Sequence, residues 1–216
     1  MLPDGRETKA DFFIFDKDLL FSIFISKIIY HCVSWVAIYL YMTDKPLILL
    51  ASARKQGDTR KLVDVIFADT DHKLIDLLDF QISPYNYLHQ YPDSDDFLKV
   101  TDEILNHRII VFATPVYWYA MSGILKIFFD RFTDLITFQK QSGWRLKGKS
   151  FFLLAVGSDE KLPNGFEIPF QLTSDYFHMA YKGSIYFSTK ELKSTNEIDS
   201  LKKLFLDKIK TGKDLD

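Results

Sequence analysis

Short apolar runs alternate with amphipathic stretches from residue 46 onward. The apolar runs predict buried strands over 47–52, 73–79, 108–114, 151–157 and 184–189. Apolar residues at helical spacing predict helices over 59–68, 97–107, 124–136, 166–181 and 198–209. Strands that alternate with helices of this length predict βαβ units. The fold class is therefore α/β, with a doubly wound, five-stranded parallel sheet.

A longer apolar run, 19–41, precedes this alternation, and Lys27 is its only charged residue. A helix needs about 20 such residues to cross a bilayer. Three interpretations stay open: a membrane anchor with the domain in the cytoplasm, a helix packed on the domain or in a dimer, and upstream sequence translated in error before a true start at Met42. We favour the last, because the recognisable domain begins right after Met42. The predicted division is an N-terminal extension, 1–45, and one domain, 46–216.

The loop after the first predicted strand begins at Ser52 and reads SARKQGDT. A helix N-terminus has unpaired N–H groups and about half a positive charge, which suits a phosphate group. Ser52 and Thr59 add hydroxyl groups, and Arg54 adds a full charge. Gly57 lets the backbone approach closely, and Asp58 is the predicted helix N-cap. The alternative interpretation is an ordinary polar turn.

The loop after the third predicted strand begins at Thr114 and reads TPVYWYAMSG. Pro115 fixes the backbone as the chain leaves the strand. Tyr117, Trp118 and Tyr119 follow, and consecutive side chains cannot all face the core from one element. We expect these rings and the N–H groups of 116–118 to suit a planar heteroaromatic ligand.

Together the two loops resemble the NADPH-dependent FMN reductase family of flavodoxin-like proteins. The resemblance rests on SAR followed by Gly57 and Thr59, on TPVYW, and on Lys126, Asp130 and Arg131. It covers about residues 46–209 and includes a similarity to the branch that contains iron–sulfur flavoproteins and multimeric NAD(P)H:flavin or quinone oxidoreductases. We expect Lys126 and Asp130 to pair, being four residues apart on a helix, and to act structurally with Arg131.

The resemblance implies FMN as cofactor and NAD(P)H as co-substrate. It implies that the FMN phosphate is held by Ser52, Arg54, Gly57, Asp58 and Thr59. It implies that the isoalloxazine ring is bordered by Thr114, Pro115, Val116, Tyr117 and Trp118. In related folds the loop after the fourth strand also lies beside the flavin, which adds Gly157 and Ser158 as ring contacts.

Two departures from the family pattern change the expectations. The family usually has Asn where Asp58 stands, so we expect lower affinity for the phosphate. The stretch after the second strand, ISPYNYLHQYPDSDDF, contains no cysteine, which excludes the cluster-bearing subgroup. This stretch shapes an acceptor pocket or a dimer contact, or is simply a surface loop. His89 within it has no visible partner that would make it a general base.

The predicted function is an FMN-dependent NAD(P)H oxidoreductase that reduces a quinone, flavin, azo or nitro compound by ping-pong hydride transfer. The flavin carries the chemistry, so we name no catalytic side chain and no metal ligand. The alternatives are a flavodoxin-type electron carrier and a flavin-free interaction module. With a net charge of −2, the chain is not acidic enough to suggest the acidic face of an electron carrier, and it has no basic run that would suggest a nucleic-acid-binding face. A homodimer or homotetramer in the cytoplasm is expected, with a membrane contact only if 19–41 is a genuine anchor.

Overall fold

Five parallel strands form one sheet in the order β2-β1-β3-β4-β5. The structure, a computed structural model, describes Ile25, residues 42–190 and residues 195–212. The strands are β1 (Leu47–Leu50), β2 (Lys73–Asp76), β3 (Ile109–Pro115), β4 (Ser150–Gly157) and β5 (Ala180–Ser188). The predicted doubly wound, five-stranded parallel sheet is confirmed, and this strand order is the flavodoxin-like one.

Helices cover both faces of the sheet. They are α1 (Asp58–Ile66), α2 (Phe97–Asn106), α3 (Gly123–Asp130), α4 (Phe132–Thr137), α5 (Lys140–Trp144), α6 (Ile168–Tyr176) and α7 (Thr195–Thr211). Successive strand residues point to opposite faces, so Leu47 and Leu49 pack in one core cluster while Ile48 and Leu50 pack in the other. All four are fully buried, which explains why β1 reads as a continuous apolar run.

Several predicted boundaries were wrong for identifiable reasons. The second strand ends at Asp76, whose side chain accepts a hydrogen bond from Leu78 N–H and turns the chain into a 3-10 helix. The predicted helix 124–136 is divided into α3 and α4 at Arg131, where a tighter bond joins Asp134 N–H to the Arg131 carbonyl. Helix α5 was not predicted.

The largest boundary error lies at the predicted helix 166–181, which ends at Tyr176. His178 takes a left-handed φ of 53°, and the N–H of Met179 donates to the Ser174 carbonyl at 2.8 Å. This is a Schellman-type helix end with histidine where glycine is usual, so the sequence carried no glycine signal for it. Strand β5 therefore begins at Ala180, earlier than the predicted 184.

The sheet order places a switch point between β1 and β3. The chain passes from β1 to β2 on one side and then crosses to β3 on the other side, so a crevice opens at the carboxyl ends of β1 and β3. Strand β4 pairs with β3 up to Pro115 and Val156, so its end lies at the same edge. The loops with the predicted site residues all leave from this edge.

The apolar run 19–41 lies outside the described residues except for Ile25, so the interpretations of it stay predictions. Among the described residues, no helix is long and apolar enough to cross a bilayer.

Candidate functional site

The loop after β1 leads directly into the N-terminus of α1. Gly57 is the N-cap, in an extended conformation with φ −76° and ψ 176°, and no side chain caps this helix end. The prediction that Asp58 is the N-cap was wrong: Asp58 is the first residue of the helix. Its carboxylate is turned to cations, 3.4 Å from Arg54 Nη2 and 3.2 Å from Lys61 Nζ.

This loop is folded tightly around Gly57. A Cβ atom at Gly57 would lie 3.2 Å from the Arg54 carbonyl oxygen and 3.4 Å from Ser52 Oγ, so a side chain would crowd the turn. The Gly57 N–H donates to the Arg54 carbonyl at 3.1 Å. Ser52 and Thr59 are buried, whereas the Arg54 side chain is 70% exposed. The loop thus presents an uncapped helix end beside an exposed guanidinium whose partner is Asp58, and this arrangement suits an anion.

Lys55, the other cation of this loop, does not face the helix end, because it is paired with a carboxylate on a different element. Its Nζ pairs with the Asp79 carboxylate on the 3-10 helix after β2. The hydrogen bond with Asp79 raises the pKa of Lys55 above its ordinary value. The contact fixes one side of the loop against the end of the neighbouring strand.

The loop after β3 contains a two-residue hairpin turn. Tyr117 N–H donates to the Ala120 carbonyl at 2.9 Å, and Ala120 N–H donates back to Tyr117 at 3.1 Å. Trp118 and Tyr119 lie between them with φ of 49° and 64°, the signs that a type I′ turn requires. Such turns favour Asn and Gly, and non-glycine residues at positive φ cost about 1–3 kcal/mol each.

The turn carries its aromatic rings outward. Trp118 is 92% exposed and Tyr119 70%, so the expectation that the three rings do not share the core is confirmed. One detail of the prediction was wrong. The N–H groups of Val116 and Tyr117 already donate to the Val156 and Ala120 carbonyls, so they are not open to a ligand.

Ser122 ties the two loops together. Its buried hydroxyl donates to the Ala51 carbonyl at the end of β1, 2.6 Å away, and accepts from Leu125 N–H at 3.2 Å. Its own N–H donates to Thr114 Oγ1 at 3.1 Å, so the Thr114 hydroxyl shapes the turn from inside. Sequence reasoning left Ser122 out of the site, although a serine directly before a predicted helix signals an N-cap.

The loop after β4 joins the same edge. Gly157 is buried under Tyr186 of β5, and a Cβ atom at Gly157 would lie 2.6 Å from Tyr186 Oη. That hydroxyl donates to the Asp159 carbonyl at 2.8 Å and holds the loop. Ser158 and Glu160 are exposed. Tyr186 was not predicted, because nothing local in the sequence links it to Gly157.

A buried ion-pair cluster supports the long loop after β2. Arg131 is 2% exposed and donates to both oxygens of Asp95, at 2.7 and 3.0 Å, and to Asp134 at 2.7 Å. Burial opposes ionisation of Asp95, but the Arg131 hydrogen bonds prevail and lower its pKa. The prediction that His89 lacks a partner was wrong, since its Nδ1 lies 2.9 Å from Asp134 Oδ1. The predicted Lys126–Asp130 pair is present, on the exposed side of α3.

The predicted site residues therefore gather in three loops at one edge of the sheet. Ser52, Arg54, Gly57, Asp58 and Thr59 follow β1; Thr114, Pro115, Val116, Tyr117 and Trp118 lie at and after the end of β3; Gly157 and Ser158 close β4. Strands β1 and β3 pair in parallel up to Leu50 and Ala113, so their loops leave side by side.

Known sequences resemble this chain over much of its length. The family model described as NADPH-dependent FMN reductase matches residues 45–191. A Bacillus subtilis protein named as an NAD(P)H-dependent FMN-containing oxidoreductase, YwqN, is 27% identical over 150 residues, which are 65% of this chain and 83% of the relative. The B. subtilis NAD(P)H oxidoreductase YrkL is 28% identical over 144 residues, 56% of this chain and 81% of the relative.

Solved structures share the fold. The Trp repressor binding protein from B. subtilis superposes with a TM-score of 0.60 at 24% identity, covering 74% of this chain and 99% of that one. General stress protein 14 from Treponema denticola, solved in complex with FMN, gives a TM-score of 0.54 at 22% identity and covers 77% and 98%. At these identities the likeness concerns the fold.

Proposed function

The chain belongs to the NADPH-dependent FMN reductase family, and on that premise we propose that it binds FMN at the carboxyl edge of β1, β3 and β4. There it catalyses oxidation of NAD(P)H and reduction of a small acceptor. One observation carries the proposal: the Ser122 hydroxyl bonds to the end of β1 at 2.6 Å. This bond holds an anion-suited loop and an aromatic loop side by side, as a ligand with a phosphate and a flat ring requires.

The phosphate end is formed by the loop after β1. Its fit rests on the tight turn at Gly57, which a side chain would crowd, and on the uncapped N-terminus of α1. Ser52 begins this loop, Thr59 lies in the first turn of α1, and Arg54 is exposed enough to turn towards an anion. Asp58 contributes through its backbone N–H, because its carboxylate is an acceptor only.

The ring end is formed by the loops after β3 and β4. FMN, when bound, supplies hydride transfer at its N5 atom. Trp118 and Tyr117 border one face of the ring site, and the turn fixes their backbone without using their side chains. Pro115, Gly157 and Ser158 line the floor.

We propose that the two substrates bind in turn on the exposed aromatic side of this site. We therefore assign ping-pong kinetics, in which NAD(P)H binds and leaves before the acceptor occupies the same place. The exposed aromatic side chains of Tyr117, Trp118 and Tyr119 suit flat acceptors, among them quinones, flavins, azo compounds and nitro compounds. The main alternative is an electron carrier, which would exchange electrons with proteins and would not sustain NADPH oxidation.

A homodimer is the proposed assembly. Helices α4 and α6 leave an apolar groove on the surface whose lining includes Phe132, Ile136, Leu172 and Tyr176 and no charged side chain. Leu172 and Tyr176 are each more than 60% exposed. Apolar patches of this kind are usually covered by another protein surface. Light scattering should give twice the mass of the chain; a monomer at micromolar concentration would contradict the assignment.

The proposed function is tested with the purified protein and two tryptophan variants. The wild-type protein should bind FMN, absorb near ~450 nm as flavins do, and oxidise NADPH continuously with menadione. Trp118→Ala should weaken FMN binding or turnover by roughly two- to ten-fold, as expected for a lost aromatic contact of about 0.5–1.5 kcal/mol. The matched control is Trp144→Ala on α5, which removes a ring that is also mostly exposed, 60% against 92% for Trp118, and lies outside the three loops.

The outcomes separate the alternatives. Flavin absorbance without steady NADPH oxidation would favour the electron carrier. Absence of FMN binding would favour the flavin-free module. Equal behaviour of Trp118→Ala and Trp144→Ala would remove Trp118 from the site.

A further inference from the structure

Asp58 places a carboxylate at the helix end that we assign to the FMN phosphate. It is the first residue of α1, and its side chain is about one third exposed. A negative charge in the first turn stabilises the helix through the dipole. The same charge repels a phosphate that binds to the N–H groups of that turn. One residue therefore acts in opposite directions on the stability of the helix and on anion binding.

The cationic side chains near the helix end do not remove the repulsion between the Asp58 carboxylate and a bound phosphate. Arg54 and Lys61 both contact Asp58, so the carboxylate already shares them. Lys55 is paired with Asp79 on the neighbouring element. The charged groups around the helix end are Arg54, Lys55, Asp58, Arg60 and Lys61 on the loop and helix, with Asp76 at the end of β2 and Asp79 on the 3-10 helix. Arg60 is paired with Asp64.

The pairs of Asp58 are open to exchange. Arg54 and Lys61 have side chains that are 70% and 66% exposed, and exposed pairs of this kind are worth about 0–1 kcal/mol. Arg54 can therefore leave Asp58 for a phosphate at little cost. The backbone of Asp58 is fixed in the first turn of α1, so its carboxylate stays close to the helix end. The repulsion between carboxylate and phosphate persists after Arg54 has changed partner.

We propose that Asp58 makes flavin binding depend on the charge of the ligand's 5′-phosphate. Asp58 weakens binding of the phosphate dianion most, and it weakens binding of the monoanion about half as much on a logarithmic scale. It leaves the binding of riboflavin, which has no phosphate, unaffected. The reason is that Coulomb energy scales with the product of the charges. A phosphate monoester passes from one to two negative charges near pH ~6. The inference rests on the proposed function, since it assumes that the phosphate lies at α1.

The test compares Asp58→Asn with wild type by flavin-fluorescence titration at low ionic strength. A unit charge about 6 Å from a dianion in water-like surroundings changes affinity roughly ten-fold, and from a monoanion about three-fold. Asp58→Asn should therefore bind FMN about ten-fold more tightly than wild type at pH ~7.5 and about three-fold more tightly at pH ~5. Riboflavin affinity should be unchanged at both pH values.

Asp64→Asn is the matched control. Asp64 lies on the same helix and is likewise paired four residues away, with Arg60 at 2.8 Å, but away from the N-terminus. Its variant should bind both flavins like wild type. If Asp58→Asn gains no more affinity than Asp64→Asn, or gains equally for riboflavin, the inference is wrong.

Arg54→Ala separates this inference from the proposed function. It should weaken FMN and leave riboflavin unchanged if the phosphate lies at α1. That result together with an unresponsive Asp58→Asn would refute the role of Asp58 alone. If Arg54→Ala weakens neither flavin, the phosphate assignment fails, and the inference fails with it.

Discussion

Replacement of Ser122 by alanine tests the contact on which the site depends. The substitution removes the hydroxyl that donates to the Ala51 carbonyl at 2.6 Å and accepts from Leu125 N–H at 3.2 Å. Ser122 is buried, so water cannot easily take over either bond. The backbone bond from Ser122 N–H to Thr114 remains, which limits the change to the link between β1 and α3.

The expected loss of stability follows from these two bonds. Removing a helix N-cap costs about 1 kcal/mol, and a buried carbonyl that loses its donor costs about 1–3 kcal/mol more. We therefore expect the free energy of unfolding to fall by roughly 2–4 kcal/mol. For a chain of this length that corresponds to a Tm lower by about 4–16 °C. FMN should also bind more weakly, because the hydrogen bond that links the loops after β1 and β3 is lost.

Urea unfolding of the flavin-free protein measures the first effect, and an FMN titration measures the second. Ser94→Ala is the control, because Ser94 is exposed in the loop before α2 and loses the same hydroxyl. A Ser122→Ala protein within about 0.5 kcal/mol of the Ser94→Ala protein would refute the reasoning, since that is the range of neutral surface changes.

Two further predictions concern other parts of the domain. Burial, with Arg145 and Arg108 nearby, lowers the pKa of Lys149 to about 7, so the folded protein binds fewer protons than the unfolded chain between that pH and about 10.5. The free energy of unfolding should then rise from pH ~7.5 to ~9.5 by up to roughly 1.4 kcal/mol per pH unit. The hydrogen bonds from the Lys149 ammonium group to two carbonyl oxygens reduce this slope. Calorimetry should show a flatter rise in Lys149→Met, and equal slopes in the two proteins would contradict the burial argument. Gly157→Ala puts a methyl group 2.6 Å from Tyr186 Oη, so it should lower stability by about 1–3 kcal/mol. Adding Tyr186→Phe should recover part of this loss in urea unfolding, and no recovery would show that the hydroxyl is not the obstacle.

Local patterns in the sequence were sufficient for most of the sheet. The strands at the centre are buried on both faces, so each appears as an uninterrupted apolar run, as in Leu47–Leu50. The loop chemistry was equally accessible, because parallel strands deliver their following loops to one edge. For this reason the sequence alone predicts one site for the residues after β1 and β3.

Boundaries failed where the signal was weak or atypical. Helix α6 ends on His178 at positive φ, a place where glycine would have marked the end. Helix α1 takes Gly57 as its N-cap although an aspartate follows it. His178 adopts a backbone conformation that its residue type tolerates but does not favour. Glycine and aspartate are both accepted at an N-cap, so preference alone did not choose between Gly57 and Asp58.

The sequence by itself determined the succession of elements, the apolar faces and the two loops with binding chemistry, because these depend on periodicity and on neighbours within a few residues. The tertiary structure alone decided which distant groups meet. Arg131 pairs with Asp95, which is 36 residues away. Ser122 reaches Ala51 across 71 residues. Such contacts leave no periodic trace in the chain, because a polar side chain looks the same whether it faces water or finds a buried partner on another element.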